Sequence, residues 1–254
     1  MRKIEVVKNL ISLEMTRFTK DLIRHPLQFI FGIAFLLIGF FVLQQTPVLP
    51  YAGASDQLLG GGWVYFFWLF CTGTALEIST GLCKDIQAGV LVRLVQSPTG
   101  ISAILFARFF VSALVATITI VILGIFFVFT LHQSIPHLNT RFIQVFGWYV
   151  VQCYALMLLV ASITISQKSV RVAYMTGALI CLPLIFIPFD RLFGNSTIFL
   201  PISGPISALN AKMPLANELT FLSITSFIFL LISYLVFIKI LVRGKRNGKL
   251  LLMQ

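Results

Sequence analysis

The chain has 254 residues, of which 58% are hydrophobic and 11% are charged, and its mean hydropathy is +0.98. Soluble domains contain about 45–50% apolar and about 25% charged residues, so this composition excludes an ordinary soluble domain and a disordered chain. The net charge of +11 would favour nucleic-acid binding in a soluble protein, but here the basic residues separate apolar stretches, so we expect a lipid membrane and no nucleic acid as partner.

The first predicted element, residues 1–25, is an amphipathic helix. Its apolar residues fall within an arc of about 80° at 100° per residue; they are Ile4, Val7, Ile11, Met15, Phe18 and Leu22. Charges and hydroxyl groups occupy most of the remaining surface, which is typical of a helix in the membrane interface. We expect it at the cytoplasmic face, either as a surface anchor or as an elbow that packs on a partner.

Six apolar stretches follow, each close to the roughly 20 residues that a helix needs to cross a bilayer. They cover residues 26–45, 61–83, 101–130, 142–165, 172–188 and 219–242. The fold class predicted here is therefore an all-α integral membrane protein with six transmembrane helices in a single domain spanning residues 1–254.

The positions of the basic residues predict the orientation. Of the 19 Lys and Arg residues, all but Arg141, Arg191 and Lys212 fall on the side that holds the N-terminus. Because cytoplasmic loops carry the excess of Lys and Arg, both termini are predicted to lie inside. We expect a multi-pass protein of the cytoplasmic (inner) membrane.

The segment before the last span, residues 189–218, is predicted to form a re-entrant extracytoplasmic hairpin. Five of the ten prolines lie between positions 183 and 214, yet the sequence there stays apolar. Such a segment is too short to cross twice, and its non-helical backbone must be shielded by protein or face water.

Residues 84–98 join the second and third spans and are predicted to form a short cytoplasmic helix that ends at Pro98. Its apolar side chains share one broad side, whereas Asp85, Arg93 and Gln96 cluster on the other. A short amphipathic helix of this kind rests on lipid or docks into a groove on a soluble partner.

This run, D-x-x-x-G-x-L-x-R-L-x-x-S-P, resembles the coupling-helix region of ABC-2 type transporter permeases. The residues that carry the resemblance are Asp85, Gly89, Leu91, Arg93, Leu94, Ser97 and Pro98. The layout of the whole chain is similar too: an interface helix, six spans and an apolar hairpin before the last span. The sequence departs from the family at Val92, where a Glu is common.

The resemblance implies a permease subunit of an ATP-driven exporter, which moves a drug, peptide, lipid or glycan. It implies that two permease chains, identical or paralogous, pair with two copies of an ATP-binding subunit. Asp85, Gly89, Leu91, Arg93, Leu94 and Pro98 would couple the chain to that ATPase. A specialised permease for haem or polysaccharide is an alternative within the same superfamily.

We expect no catalytic residue, metal site or cofactor in this chain. A Walker A loop reads G-x-x-x-x-G-K-[ST], and the nearest match, at Gly248-Lys249-Leu250, lacks the first Gly and the last Ser or Thr. The resemblance therefore places ATP and Mg on the partner subunit. His132 and His137 have no acidic residue close by in sequence, and the four cysteines have no C-x-x-C spacing, so we expect the cysteines to pack as small apolar residues.

Two charged residues, Glu77 and Arg108, lie within the second and third spans. Each is about two turns from the connecting segment, so they are predicted to meet at one depth as an intramembrane pair. The pair is interpreted as structural, with snorkelling of Arg108 or a substrate or proton role as alternatives. A secondary carrier that uses Glu77 is the main alternative function.

The other polar and aromatic residues of the spans are assigned to packing. Gln152, Ser162, Thr164 and Thr176 are expected to hydrogen-bond between helices rather than to bind substrate. An aromatic group at the outer end of the second span is interpreted as an interfacial belt; it consists of Trp63, Tyr65, Phe66, Phe67 and Trp68.

Overall fold

A computed structural model describes the helical parts of the chain. The described residues are 2–27, 61–90, 100–131, 140–167 and 215–246, together with single positions at 30, 31, 33, 34, 37, 38 and 205. They form five long helices, which are α1 (Arg2–Arg24), α2 (Gly61–Gln87), α3 (Gly100–Leu131), α4 (Thr140–Gln167) and α5 (Leu215–Arg246). No strand occurs within these residues, so the described part of the chain is all helical.

Three of the helices are long and apolar enough to cross a membrane. The qualifying stretches are Gly100–Phe126, Phe142–Ser166 and Leu219–Arg243. They correspond to the third, fourth and sixth predicted spans, and α2 coincides with the second. These helices are compatible with a multi-pass membrane protein.

Several predictions fall outside the described residues. These are most of the first span (26–45), the whole of the fifth (172–188), and the hairpin (189–218) apart from Pro205 and the last four positions. At those four positions α5 has already begun, because its first residue is Leu215. The count of six spans and the re-entrant hairpin therefore remain predictions.

The helix α4 lies at the centre of the described bundle and packs against both α2 and α5. In its membrane stretch 67% of the residues are buried, against 28% in α3 and 22% in α5. Beyond α4, the helix α2 contacts α3, and α3 contacts α1. The described helices thus follow the spatial order α5, α4, α2, α3, α1.

Polar side chains link α4 to its neighbours. The Gln152 side-chain amide donates a hydrogen bond to the Ser226 hydroxyl of α5 at 2.9 Å. The Thr164 hydroxyl lies 3.1 Å from that of Ser79 on α2. Because lipid offers no hydrophobic force between apolar helices, such bonds are a principal source of helix association. The assignment of Gln152 and Thr164 to helix packing is confirmed, and Ser162 donates to the Leu158 carbonyl within α4.

The aromatic residues at the start of α2 are placed differently from the prediction. Phe66 and Phe67 are 3% and 4% exposed, so they belong to the core and not to an interfacial belt. The Phe67 ring meets that of Tyr149 edge-on at 4.8 Å, and the Tyr149 hydroxyl donates to the Phe67 carbonyl. The belt interpretation fails for these two residues because α4 packs over this end of α2.

The cysteines that the structure describes behave as small apolar residues. Cys71, Cys83 and Cys153 are each 1% exposed, and the thiols of Cys83 and Cys153 are free. Their prediction as packing residues is confirmed, and Cys181 lies outside the described residues.

Candidate functional site

A buried arginine joins three helices at the end of α2. The Arg108 side chain on α3 is 8% exposed, and its Nε donates a hydrogen bond to Glu14 Oε1 of α1 at 3.0 Å. Its Nη2 lies 2.6 Å from Asp85 Oδ2 on α2. One guanidinium therefore holds a carboxylate from each of two other helices. We call Glu14, Asp85 and Arg108 the three-helix ion cluster.

Asp85 needs a cationic partner because of its position in α2. It stands in the last turn of α2, where the helix dipole disfavours a negative charge. Its side chain is also 9% exposed, and a buried carboxylate is tolerated only when it is paired. Arg17 of α1 adds a longer contact of 3.6 Å to Asp85 Oδ1, but Arg17 is 40% exposed, so this contact contributes little.

The position of Asp85 differs from the one the sequence suggested. The predicted coupling helix began at residue 84 and had Asp85 on its polar side, but α2 continues to Gln87 and buries Asp85 against α3. The structure therefore places Asp85 inside the protein, at the end of a long helix, rather than on a surface open to a partner.

The helix α2 ends at Gln87, and the turn that follows contains Gly89, which has a positive φ of +67°. The Gly89 amide donates to the Ile86 carbonyl at 3.1 Å, and the Ala88 amide donates to the Lys84 carbonyl at 2.9 Å. This left-handed turn is a common helix ending, and glycine adopts it without the steric cost that a Cβ carries. The chain is helical again at Val90. Gly89 therefore separates α2 from the segment that follows.

The remaining predicted coupling residues cannot be placed. Leu91, Arg93, Leu94 and Pro98 lie outside the described residues. On the far side of that segment, Gly100 begins α3 with a φ of +72°. Two glycines in the left-handed conformation therefore bracket residues 91–99.

Glu77 lies near Arg108 but is not its ion-pair partner. Both residues line a pocket of about 90 Å³ between α1, α2 and α3. The ion pairs that Arg108 forms with the described acids go to Glu14 and Asp85. Glu77 instead lies beside the Ser112 hydroxyl of α3, which lines the same pocket. The structure thus brings Glu77 and Arg108 to one pocket without the direct pair that the sequence suggested.

Glu14 is not among the site residues predicted from the sequence, although its position on α1 indicates that it lies beside the packed face of that helix. At 100° per residue Glu14 lies about 20° from Val7, at the edge of the apolar stripe of α1. A carboxylate at that edge faces whatever the stripe packs against. The structure confirms α1 as a helix and packs it against α3 of the same chain.

Comparisons with known proteins do not identify a family for this chain. No protein-family model, no curated protein and no solved structure matches the chain.

Proposed function

We propose that this chain is the membrane-spanning permease subunit of an ATP-driven exporter of the ABC-2 type. Two such chains, identical or paralogous, would work with two copies of an ATP-binding subunit, which supplies ATP and Mg. The permease would have six spans and a re-entrant outer hairpin, with both termini in the cytoplasm. Its cargo would be hydrophobic or amphipathic.

The observation that carries this proposal is the ion cluster at the end of α2. The segment whose sequence resembles a coupling helix leaves α2 at Gly89, four residues after Asp85. Because Arg108 ties Asp85 to both α3 and α1, a displacement of that segment would act on three helices at once. A permease driven by a soluble ATPase needs such a mechanical link between its partner surface and its membrane helices.

The proposal assigns separate tasks to the residues of the segment. Leu91 and Leu94 would fill a groove on the ATP-binding subunit, and Gly89 would set the angle at which the segment leaves α2. Asp85 would act as a positioning residue, because its carboxylate is occupied by Arg108. Arg93 and Pro98 would shape the rest of the partner surface.

The first test is copurification of the full chain from gently solubilised native membrane. A Walker-A-containing ATPase at about one per permease chain is the expected result. A Leu91→Asp variant should reach the membrane at the wild-type level and lose the ATPase. Thr16→Asp is the matched control, because Thr16 lies on the exposed side of α1 and the change adds the same charge.

Two results would contradict the proposal. Equal recovery of the ATPase with Leu91→Asp and with the wild type would disprove the groove role. Absence of any ATPase, in a preparation where a known ABC complex survives, would disprove the class. A secondary carrier would then be favoured by the position of Glu77, a carboxylate of α2 in a pocket shared with Arg108.

A further inference from the structure

The pocket between α1, α2 and α3 has the composition of a binding site. Its charged and polar lining comes from all three helices, with Asp21 from α1, Glu77 and Lys84 from α2, and Arg108 and Ser112 from α3. Its volume is about 90 Å³. A pocket of this size with polar groups in its lining is large enough to hold ordered water.

Arg108 presents a buried donor to this pocket. Its Nη1 has no hydrogen-bond partner among the protein groups that the structure describes. Gly81 lies next to it, since a Cβ built on that glycine would be 3.7 Å from Nη1. Buried polar groups are nearly always hydrogen-bonded, to protein or to ordered water. A water molecule in the pocket would be an acceptor that fits this position.

The charges around the pocket do not balance. Four carboxylates and three cations line it or contact its lining, namely Glu14, Asp21, Glu77 and Asp85 against Arg17, Lys84 and Arg108. Arg108 is committed to Glu14 and Asp85 by its ion pairs. Within the described residues, one carboxylate is therefore in excess.

Among these carboxylates, we identify Glu77 as the one that carries the excess negative charge. It faces two like charges on α1, Glu14 and Asp21, and one opposite charge, Lys84, on its own helix. The Ser112 hydroxyl of α3 lies beside it in the pocket lining. Glu77 also lies at the surface of the described bundle rather than in its core. A carboxylate with this surplus of negative neighbours can be neutralised by a single proton.

We propose that this pocket is a hydrated proton-binding site, in which Glu77 carries the proton and water joins Glu77 to Arg108. A hydronium ion in the pocket gives its proton to the Glu77 carboxylate, which becomes a neutral carboxyl group, and one water molecule remains. No other bond changes. The inference goes beyond ATP-driven transport and does not depend on it.

Infrared difference spectroscopy of the full chain in lipid nanodiscs tests the proposal. The chain has only eight Asp and Glu residues, so the C=O stretch of a protonated carboxyl group can be assigned by substitution. As the pH is lowered over the range in which the chain stays folded, a titrating band should appear. The band should be lost in Glu77→Gln and retained in Glu5→Gln, the same change at an exposed position of α1 outside the pocket lining.

Two further measurements keep the test decisive if Glu77→Gln fails to fold. Ser112→Ala should shift the frequency of the band, because it removes the hydroxyl that lies beside Glu77 in the pocket lining. In D₂O the band should move promptly to lower frequency, because water in the pocket exchanges with solvent.

Each opposite outcome overturns the proposal. No titrating band in the wild type, a band that survives in Glu77→Gln, or a band lost in Glu5→Gln would show that Glu77 does not carry the proton. A band that is unchanged in Ser112→Ala would show the same. A band that does not exchange in D₂O would show that the site is not hydrated. None of these results bears on copurification of an ATPase, so the two proposals fail separately.

Discussion

Replacing Arg108 with leucine should release α1 from the rest of the protein. The substitution leaves Glu14 and Asp85, whose side chains are 12% and 9% exposed, without the cation that they share. Removing one partner of a buried ion pair costs about 3–5 kcal/mol, because the remaining charge stays in a poorly solvated place. We expect a loss of that size in the free energy of unfolding, and a smaller loss for Arg108→Lys, which keeps the charge but not the guanidinium fork.

The free energy of unfolding can be measured by titrating the purified chain in mixed micelles with a denaturing detergent. Arg243→Leu is the matched control, because Arg243 is an exposed arginine near the end of α5 and the chemical change is the same. Protease digestion of α1 gives a second readout that does not depend on global unfolding. Faster cleavage within residues 2–24 is expected in Arg108→Leu and not in Arg243→Leu.

A double-mutant cycle separates the ion pair from a general loss of packing. Glu14→Gln and Arg108→Leu are compared singly and together, and residues in direct contact usually show an interaction energy of about 0.5–3 kcal/mol. Additive effects would refute the pairing of Glu14 with Arg108. Equal stability of Arg108→Leu and Arg243→Leu would refute the argument that the cluster holds the helices together.

Two further predictions concern the turn after α2 and the aromatic core. Gly89→Ala should lower the free energy of unfolding by about 1–2 kcal/mol, because its φ of +67° is costly for a residue with a Cβ. The control is Gly147→Ala, which places a Cβ in open space within α4 and should be neutral or stabilise the protein by up to about 1 kcal/mol. Equal effects of the two substitutions in thermal melting would contradict this reasoning. Tyr149→Phe should cost about 1 kcal/mol by the same measurement, because the hydroxyl that donates to the Phe67 carbonyl is lost while the ring remains. Tyr154→Phe is its control, and a larger loss there would show that the bond to Phe67 is not the cause.

The sequence predicts the described helices well because each is long and has a clear apolar pattern. The predicted third span, 101–130, differs from Gly100–Leu131 by one residue at each end. The fourth, 142–165, differs from Thr140–Gln167 by two residues at each end. The predicted sixth span, 219–242, is four residues shorter than Leu215–Arg246 at each end. An equal discrepancy occurs at the end of α2, where Lys84 to Gln87 continue the helix. Those residues are polar at three of four positions, so hydropathy ends the span before hydrogen bonding ends the helix.

The partner of Arg108 could not be predicted from depth alone. Side chains on a helix lean toward its N-terminus. Asp85 and Arg108 meet at one end of the helix pair, and Glu77 and Ser112 line the pocket further along, so α2 and α3 run antiparallel. Arg108 therefore leans toward the end of α2, where Asp85 lies, whereas Glu77 leans away from it. Glu77 and Arg108 are equally many turns from the connecting segment, so their backbones lie at similar depth. Their side chains nevertheless point in opposite directions along the helix pair and do not form an ion pair.

The ion pair between Glu14 and Arg108 involves α1, a third helix. A prediction that compares only consecutive membrane spans does not include this helix. The amphipathic pattern of α1 predicts that its apolar face is shielded from water. It does not predict which helix that face contacts. That contact depends on the packing of α1 against α3, which brings Glu14 to Arg108.

The buried position of Asp85 changes how the proposed coupling would work. Because α2 runs to Gln87 and turns at Gly89, the surface that a partner could contact begins after that turn. Asp85 then serves as the inward end of the link, with its carboxylate fixed to Arg108 at 2.6 Å. A partner that displaces the segment after Gly89 would pull on α1, α2 and α3 through one guanidinium. Under the proposed function, Arg108→Leu should therefore leave the ATPase bound and remove its stimulation by cargo, whereas Leu91→Asp should prevent binding itself.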